Sequence, residues 1–353
     1  MAGKFNWTRF ADVNLSDEFF NSLKNDYIEF TEWFERKARE GEQALVFQEN
    51  NAIGAFIYLK DEKEEIQLQD KTLPVKHRMK IGTLKLSEKI RNIRLGEGAI
   101  GVALWRWRES CAEEIYLTVF ESHTQLIALI EKFGFIMSGK NKRGECVYIK
   151  NRKQINYENP YKSFPFINPK FSRAGLLPIE EQFHDKLFPY SELQGNVSAL
   201  EEAVAGNGIS KIYIATPSSG ISYQIGEPLC IYRKYNGPNK GFRSVVTSYA
   251  TVTHIEVIKN QGYANCSVEK FIELCGNKTI FDEQILCGVY NRPNVVMIEM
   301  VYNGYFGAGN NVNFFALKNN NLFEDYPYNI QYTKEQFETI LKMGRVNVDT
   351  IYD

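Results

Sequence analysis

The stretch from Arg78 to Ser110 constrains the fold more than any other, because its hydrophobic period changes abruptly. "RMKIGTLKLSE" alternates apolar and polar residues, the pattern of a half-buried strand. From Glu97 to Ser110, Ile100, Ala103, Leu104 and Trp107 recur on one helical face. Between them lies "EKIRNIRLGEGAIG", residues 88–101. Each glycine costs a helix roughly 1 kcal/mol relative to alanine, so glycines at a helix start need a reason. A helix N-terminus offers unpaired N–H groups and a partial positive charge, and missing side chains let an anion approach them. Phosphate binding is one reading. A tight turn before a crowded helix is the other.

The flanking segments supply an alternating order. "NWTRFADVNL" reads as a strand, and Ser16 is placed to cap the helix "DEFFNSLKNDY". "IEFTEWFERKAREG" is a second amphipathic helix, stopped at Gly41. "QALVFQENNAIGAFIYLKDE" predicts a hairpin about Asn50–Asn51, followed by a separate short strand "EEIQLQD". "EEIYLTVF" is a buried strand, "TQLIALIEKFGF" a helix ending at Gly134, and "GECVYIK" a closing strand. The expected order is β-α-α-β-β-β-β-α-β-α-β over residues 1–150.

Size and composition bound the rest. A chain of 353 residues exceeds the usual single domain, so two are expected. A net charge of −1 gives no global field to draw nucleic acid, which leaves only local patches. The 24 Phe and 20 Tyr argue against disorder. Cys111, Cys146, Cys230, Cys266, Cys275 and Cys287 form no CxxC pair and no metal-ligand spacing with the four histidines. Reduced thiols in a cytoplasmic protein are expected. "MAGKFNWTRF" is too polar for a secretory leader, and no apolar run reaches the roughly 18–20 residues of a bilayer span.

The order, with a glycine-bearing strand-to-helix turn at its centre, resembles the GNAT (general N-acetyltransferase) superfamily over residues 5–150. Its signature is Gln/Arg-x-x-Gly-x-Gly/Ala, and here Arg91-Asn92-Ile93-Arg94-Leu95-Gly96 supplies the first and last positions. Arg94 replaces the middle glycine. "VFESHTQLIALIEKFGF" resembles the family's closing strand and helix, with His123 at a common asparagine and Ile130 at a common tyrosine. The resemblance implies acetyl-CoA as acyl donor. Its pyrophosphate would rest on the amides of residues 91–96, with Arg91 and Arg94 beside the charge. Its pantetheine arm would add along Leu84–Leu86, where that strand parts from "IYLTVF". Gly98 and Gly101 would permit close backbone approach.

Direct acyl transfer needs a base for the amine, an oxyanion donor and a proton for the leaving thiolate. His123 is the first titratable candidate, against a reading as an exposed residue of a turn. Glu121 and Glu88 are further candidates, each also readable as a surface carboxylate. Cys111 lies past the helix and is expected to pack. The missing tyrosine puts the family's usual thiolate protonation in question, leaving water or His123 as proton source.

From Asn151 to Lys170 the period breaks in "NRKQINYENPYKSFPFINPK", which reads as a linker packed on a domain surface. Beyond it, "LLPIEEQFHDKLFP" and "SALEEAVAG" read as short helices. "KIYIAT", "GEPLCIYRKYN", "GFRSVVTSYATVTHIEVI", "VVMIEMVYNGYF" and "VNFFALK" read as strands, punctuated by helices "SVEKFIELCG" and "TKEQFETILKMG". An α+β small barrel over residues 171–353 is expected. The order resembles the PUA-like group, which includes ASCH domains, over residues 175–345. Such domains commonly recognise RNA or modified nucleobases. Arg233, Lys234, Lys240 and Arg243 flank Tyr232, Tyr235 and Phe242, combining phosphate-binding cations with stacking rings. The other reading is a solvated hairpin. His184 and His254 are expected to be structural or exposed.

The combined expectation is an acetyl-CoA-dependent N-acetyltransferase acting on RNA or an RNA-linked amine. Two other readings stand. One is a protein or small-amine acetyltransferase whose second domain is an interaction module. The other is a non-catalytic nucleic-acid-binding protein that senses acyl-CoA.

Overall fold

A computed structural model of the chain describes residues 5–49, 52–87, 94–191, 204–218, 220–324 and 326–352. The chain divides into two units, residues 3–154 and residues 155–353 apart from isolated terminal positions. Among the described residues, no helix is long and apolar enough to cross a membrane.

The first unit runs β1 (Asn6–Arg9), α1 (Asn21–Asp26), α2 (Phe30–Arg39), β2 (Gln43–Glu49), β3 (Ala52–Gln67) and β4 (Thr72–Leu86). It continues through α3 (Leu95–Glu109), β5 (Glu114–Val119), α4 (Thr124–Lys132), β6 (Ile136–Lys140) and β7 (Cys146–Asn151). The sheet order is β1-β2-β3-β4-β5-β7-β6, antiparallel except between β4 and β5. Two expectations differ from this. "EEIQLQD" is no separate strand, because β3 runs unbroken to Gln67 against β4. β6 went unseen because Ile136 and Met137 are exposed and break the alternation. Asp17, not Ser16, makes the cap before α1, accepting from Phe19 N at 2.8 Å.

One sheet face carries a core of aromatic rings. Phe10, Phe20, Phe30 and Phe34 pack on Ala44, Val46, Phe56 and Tyr58, with Phe10 4.8 Å from Phe34 and 5.4 Å from Phe56. Each such ring contributes about 1.5–3 kcal/mol by leaving water. Alternation turns Leu45, Ala55 and Ile57 to the other face, where α3 packs on β3 and β4.

Polar groups fix the strand ends. Arg78 is buried and bonds Glu114 through Nε at 2.7 Å, and Glu114 also accepts from Lys76 and Asn151. Removing Glu114 would strand the Arg78 charge, at a cost of about 3–5 kcal/mol. Arg152 closes α3: its guanidinium donates to the carbonyls of Trp107, Arg108, Ser110 and Ala112 and lies 4.9 Å over the Trp107 ring. A cation belongs there, because the helix dipole leaves partial negative charge at that end.

The second unit contains α5 (Pro160–Ser163), β8 (Ala174–Glu180), α6 (Glu181–Leu187), β9 (Ser210–Ala215), β10 (Pro228–Lys234), α7 (Lys240–Arg243) and β11 (Val245–Asn260). There follow β12 (Tyr263–Ala264), α8 (Val268–Cys275), α9 (Glu283–Tyr290), β13 (Val295–Tyr305), β14 (Val312–Asn313), α10 (Phe314–Asn319), β15 (Gln331–Tyr332), α11 (Lys334–Met343) and α12 (Asp349–Tyr352). The main sheet order is β15-β8-β10-β11-β13-β9, parallel at β8–β10 and antiparallel elsewhere. No pairing joins β15 to β9 among the described residues, so strand pairing there does not close the expected barrel.

Three segments depart from expectation. "LLPIE" is strand β8 rather than helix. β15 pairs only Ala174 and Gly175, so at Pro178 one edge is unpaired and a residue without N–H is tolerated. "VNFFALK" is mostly helix α10, because the Asn313 side chain accepts from Ala316 N at 2.9 Å and caps it. The segment read as a linker is divided: Asn151 ends β7, while Phe164, Phe166 and Ile167 are buried in the second unit. Most of "SALEEAVAG" lies outside the described residues.

Candidate functional site

Strands β4 and β5 run side by side only from Arg78 to Ile81, opposite Glu114 to Leu117. There β4 takes one extra residue: Leu59 of β3 opposes Ile81 and Tyr58 opposes Thr83, so Gly82 is the bulge. Thr83–Leu86 stay paired to Tyr58–Ala55 of β3, while β5 continues to Val119 against β7. Gly82 is exposed, and from it to Leu86 no described strand pairs with the β5-facing edge of β4. Leu84 and Leu86 are half-buried. The two strands thus part into a cleft with main-chain hydrogen-bonding groups along one wall.

Helix α3 begins close to the end of that wall. Its N-cap, Arg94, sits at φ 61°, ψ 17°, the left-handed conformation that glycine adopts without penalty. The Arg94 guanidinium is almost fully buried and bonds Glu97 at 2.8 Å, so much of its charge is neutralised within the first turn. Gly96 faces inward. A Cβ there would stand 3.3 Å from Leu86 and 3.6 Å from Leu129, so this glycine lets α3 approach β4 and α4. The first-turn amides of α3 have no intrahelical acceptor. Glu88, Arg91, Asn92 and Ile93 lie outside the described residues.

Beyond β5, His123 is exposed at the N-cap of α4. Its N–H donates to Phe120 O at 3.0 Å, and its imidazole makes no hydrogen bond to a described residue. Glu121 pairs with Lys140 at 2.9 Å. Burial, then the Glu121 charge and hydrogen bond, push the Cys146 thiol upward. Cys111, expected to pack, is exposed.

Two phenols were missed. Tyr148 on β7, opposite Leu117, donates to Glu131 of α4 at 3.0 Å, and burial followed by that carboxylate pushes it up to about 12. It stands against α4 while Ile130, at the family's tyrosine position, is wholly buried. Tyr116 on β5 donates to Glu62, and Lys80 lies 5.6 Å over its ring. Both lie in strands buried along almost their whole length, so no period in "CVYIK" or "EEIYLTV" singles them out, and partners so distant in sequence are invisible there.

In the second unit the expected cluster separates. Tyr232 is 3% exposed, with its ring 5.2 Å from Phe323, so it is core and not a stacking surface. Arg233 is equally buried. It holds Asp185 through two bonds of 2.8 Å and Glu181 at 3.0 Å, leaving no free face for a phosphate. Burial opposes ionisation of Asp185, but bonds from Arg233 and His184 outweigh it and hold the carboxyl at about 2. His184 is fully buried between Asp185 and Thr247, and burial lowers its pKa.

The remaining members lie nearer the surface. Lys234 bonds Glu180 at 2.8 Å, and the Arg243 guanidinium lies 3.9 Å over the Tyr235 ring. Lys240 and Phe242 are exposed, and Phe242 meets Phe315, which the sequence reading did not include, at 4.8 Å.

No family model matches the chain, and no curated protein matches it. Among solved structures it is similar to Arabidopsis thaliana Naa50 in complex with a bisubstrate analogue, CoA-Ac-MVNAL, at 18% identity over 42% of this chain and 99% of that one, TM-score 0.30. A GNAT-family acetyltransferase from Streptococcus agalactiae is similar at 15% identity over 38% of this chain and 79% of that one, TM-score 0.28. A mutant of ZmASCH from Zymomonas mobilis is similar at 11% identity over 48% of this chain and 94% of that one, TM-score 0.31. These neighbours include members of the two groups that the sequence resembles, GNAT acetyltransferases and ASCH proteins.

Proposed function

We propose that the chain is an N-acetyltransferase that takes acetyl-CoA as donor and transfers directly to an amine. The observation that carries this reading is the parting of β4 from β5 at the Gly82 bulge, beside the start of α3. An extended arm bearing amide groups adds to an open strand edge through main-chain hydrogen bonds, and Thr83–Leu86 offer such an edge. A pyrophosphate suits the first-turn amides of Leu95, Gly96 and Glu97. Arg94 acts there through its backbone and its bond to Glu97 more than as a free cation. His123, exposed past the end of β5, is the group we assign to proton transfer with the acceptor. Glu121 is engaged by Lys140 and serves less well.

Hydrogen exchange on the full chain with CoA tests the donor site. Amides at Gly82–Leu86 and Leu95–Glu97 are expected to gain protection together. CoA binding that leaves both segments unprotected refutes the assignment.

The acceptor we propose is RNA or an RNA-linked amine. Support comes from exposed Lys240, Phe242 and Arg243, with half-buried Tyr235 under the Arg243 guanidinium and Phe315 beside Phe242. Ring faces and cations so placed suit single-stranded nucleic acid. A salt titration of binding to total tRNA checks this. No binding at low salt removes RNA and leaves a protein or small amine as acceptor.

A further inference from the structure

Beyond its aromatic core, the same sheet face of the first unit carries charge. Opposite residues of paired strands share a face, so Lys60 of β3, Lys80 of β4 and Tyr116 of β5 stand in one row, with Glu62, Arg78 and Glu114 in the next. Lys60 pairs with Glu62 Oε2 at 2.7 Å, and Arg78 holds Glu114 at the same distance. The other oxygen of Glu62 accepts from the Tyr116 hydroxyl. Lys80 is the cation of these rows that stays unmatched. It is half-buried, its ammonium lies 5.6 Å from the centre of the Tyr116 ring, and it makes no hydrogen bond or ion pair with a described residue. A ring face attracts such a charge without neutralising it, so an anion brought from outside finds an open partner there.

Lys80 stands at the fork of the cleft. Ile81 and Leu117 are the last paired residues of β4 and β5, and the Gly82 bulge follows. Thr83, opposite Tyr58, and Thr118, two residues past Tyr116, take the same face as Lys80 on the two arms of the fork. Both are half-buried, and neither hydroxyl makes a hydrogen bond to a described residue. Helices α3 and α4 lie against the opposite face, through Leu86 and through Tyr148. On the Lys80 face, Trp33 of α2 stands 5.6 Å from Tyr58 on one side. On the other, the long β3–β4 hairpin reaches across: Leu68 bridges Asn141, Gln69 N donates to Lys140 O at 2.8 Å, and Ile66 and Leu68 pack with Tyr116 and Val147. Between these two walls the floor is Lys60, Lys80, Thr83 and Thr118, each reached by solvent.

This inference rests on the acyl-transfer reading, in which the donor's arm runs along Leu86–Gly82 and its acyl end stops at the fork. We propose that Lys80 receives an anionic group of the acceptor, with the Thr83 and Thr118 hydroxyls as further donors, so that the acceptor is a primary amine bearing a phosphate or carboxylate close to its nitrogen. Lys80 binds and orients there and moves no proton. The phosphate of an RNA-linked amine and the carboxylate of a small amino acid share this chemistry, and matched acceptors separate them.

Acetyl transfer by the full chain, read as thiol release from acetyl-CoA, tests it with O-phosphoethanolamine against ethanolamine and β-alanine against β-alaninamide. The charged member of at least one pair is expected to lead by about tenfold or more in kcat/KM, and the pair with the larger ratio assigns phosphate or carboxylate. Lys80→Met, or Lys80→Gln if the first folds poorly, should lower that ratio at least about tenfold, whereas Lys80→Arg keeps most of it and CoA affinity stays within about threefold in each. Calorimetry of the charged amines into the CoA-loaded chain reads the anion site without turnover. Binding that is lost in Lys80→Met, with no transfer to any amine, would keep the anion site and refute acyl transfer. Equal rates for charged and neutral acceptors, or a loss in Lys80→Met that is the same for both, would leave acyl transfer standing and overturn the inference. Failure of both charged amines to bind overturns it as well.

Discussion

Arg233→Met tests whether this cation belongs to the scaffold or to a nucleic-acid surface. The methionine keeps much of the side chain's volume and removes its charge. Arg233 is 3% exposed on the side chain, against 17% for Asp185 and 38% for Glu181. Glu181 can turn to water, but Asp185 would keep a charge next to His184 with its main partner gone. Breaking a buried pair by removing one member costs about 3–5 kcal/mol, and relief at Glu181 points to the lower end, about 3. The effect depends on pH with a definite sign. Asp185 is held at about 2, below its ordinary 3.8, so its contribution is complete above the ordinary value and lost as pH falls through the folded one. About 2 kcal/mol of the wild-type advantage should therefore fade between roughly pH 4 and pH 2. Urea unfolding followed by far-UV circular dichroism measures it. Trp7, Trp33, Trp105 and Trp107 all lie in the first unit, so tryptophan fluorescence follows that unit separately. A loss below about 1 kcal/mol, or one that does not change with pH, would mean that the guanidinium faces solvent and that the scaffold argument is mistaken.

Other perturbations bear on the candidate cleft and surface. Arg94→Gly should change first-unit stability by less than about 1 kcal/mol, because relief at positive φ offsets the lost Glu97 bond, whereas Arg94→Val should lose about 1–2 more; tryptophan-monitored unfolding reads both. Gly96→Val should cost about 1–3 kcal/mol without any ligand, by crowding Leu86 and Leu129; an unchanged midpoint would show that the helix has room to move. His123→Ala should lower turnover while CoA affinity stays within about threefold by calorimetry, the pattern of a group acting in the transition state. Phe242→Ala should weaken tRNA binding by about 1–3 kcal/mol with little change in salt slope, and a large change in slope would contradict stacking.

The elements readable in advance were those whose own side chains enforce one period. Phe30, Trp33, Phe34 and Ala38 declare α2, and the alternation through "RMKIGTLKL" declares β4. β6 could not be read, because an edge strand with Ile136 and Met137 in solvent has no buried face to mark it. The glycine-bearing turn was legible as a place, but the inward aim of Gly96 depends on Leu86 and Leu129 from other elements. Arg233 shows the limit most clearly. Its neighbours in sequence are Tyr232 and Lys234, which suggest an open basic loop, whereas its partners come from α6, 48 and 52 residues away. Glu227 likewise reads as part of a turn, and only packing reveals that one of its oxygens is unmet.

The Arg152 clasp on α3 also governs how far the first unit could be transplanted. A fragment cut at residue 150 would keep every strand of the sheet except the final residue of β7. It would lose the guanidinium that gathers four carbonyls at and just beyond the last turn of the helix, and with it the stack on Trp107. Fusion partners, protease nicks and recombination points are therefore tolerated after Gln154 rather than before Arg152. A shuffled gene that joined a new neighbour at the earlier point would inherit the cleft with its supporting helix unfastened at the far end.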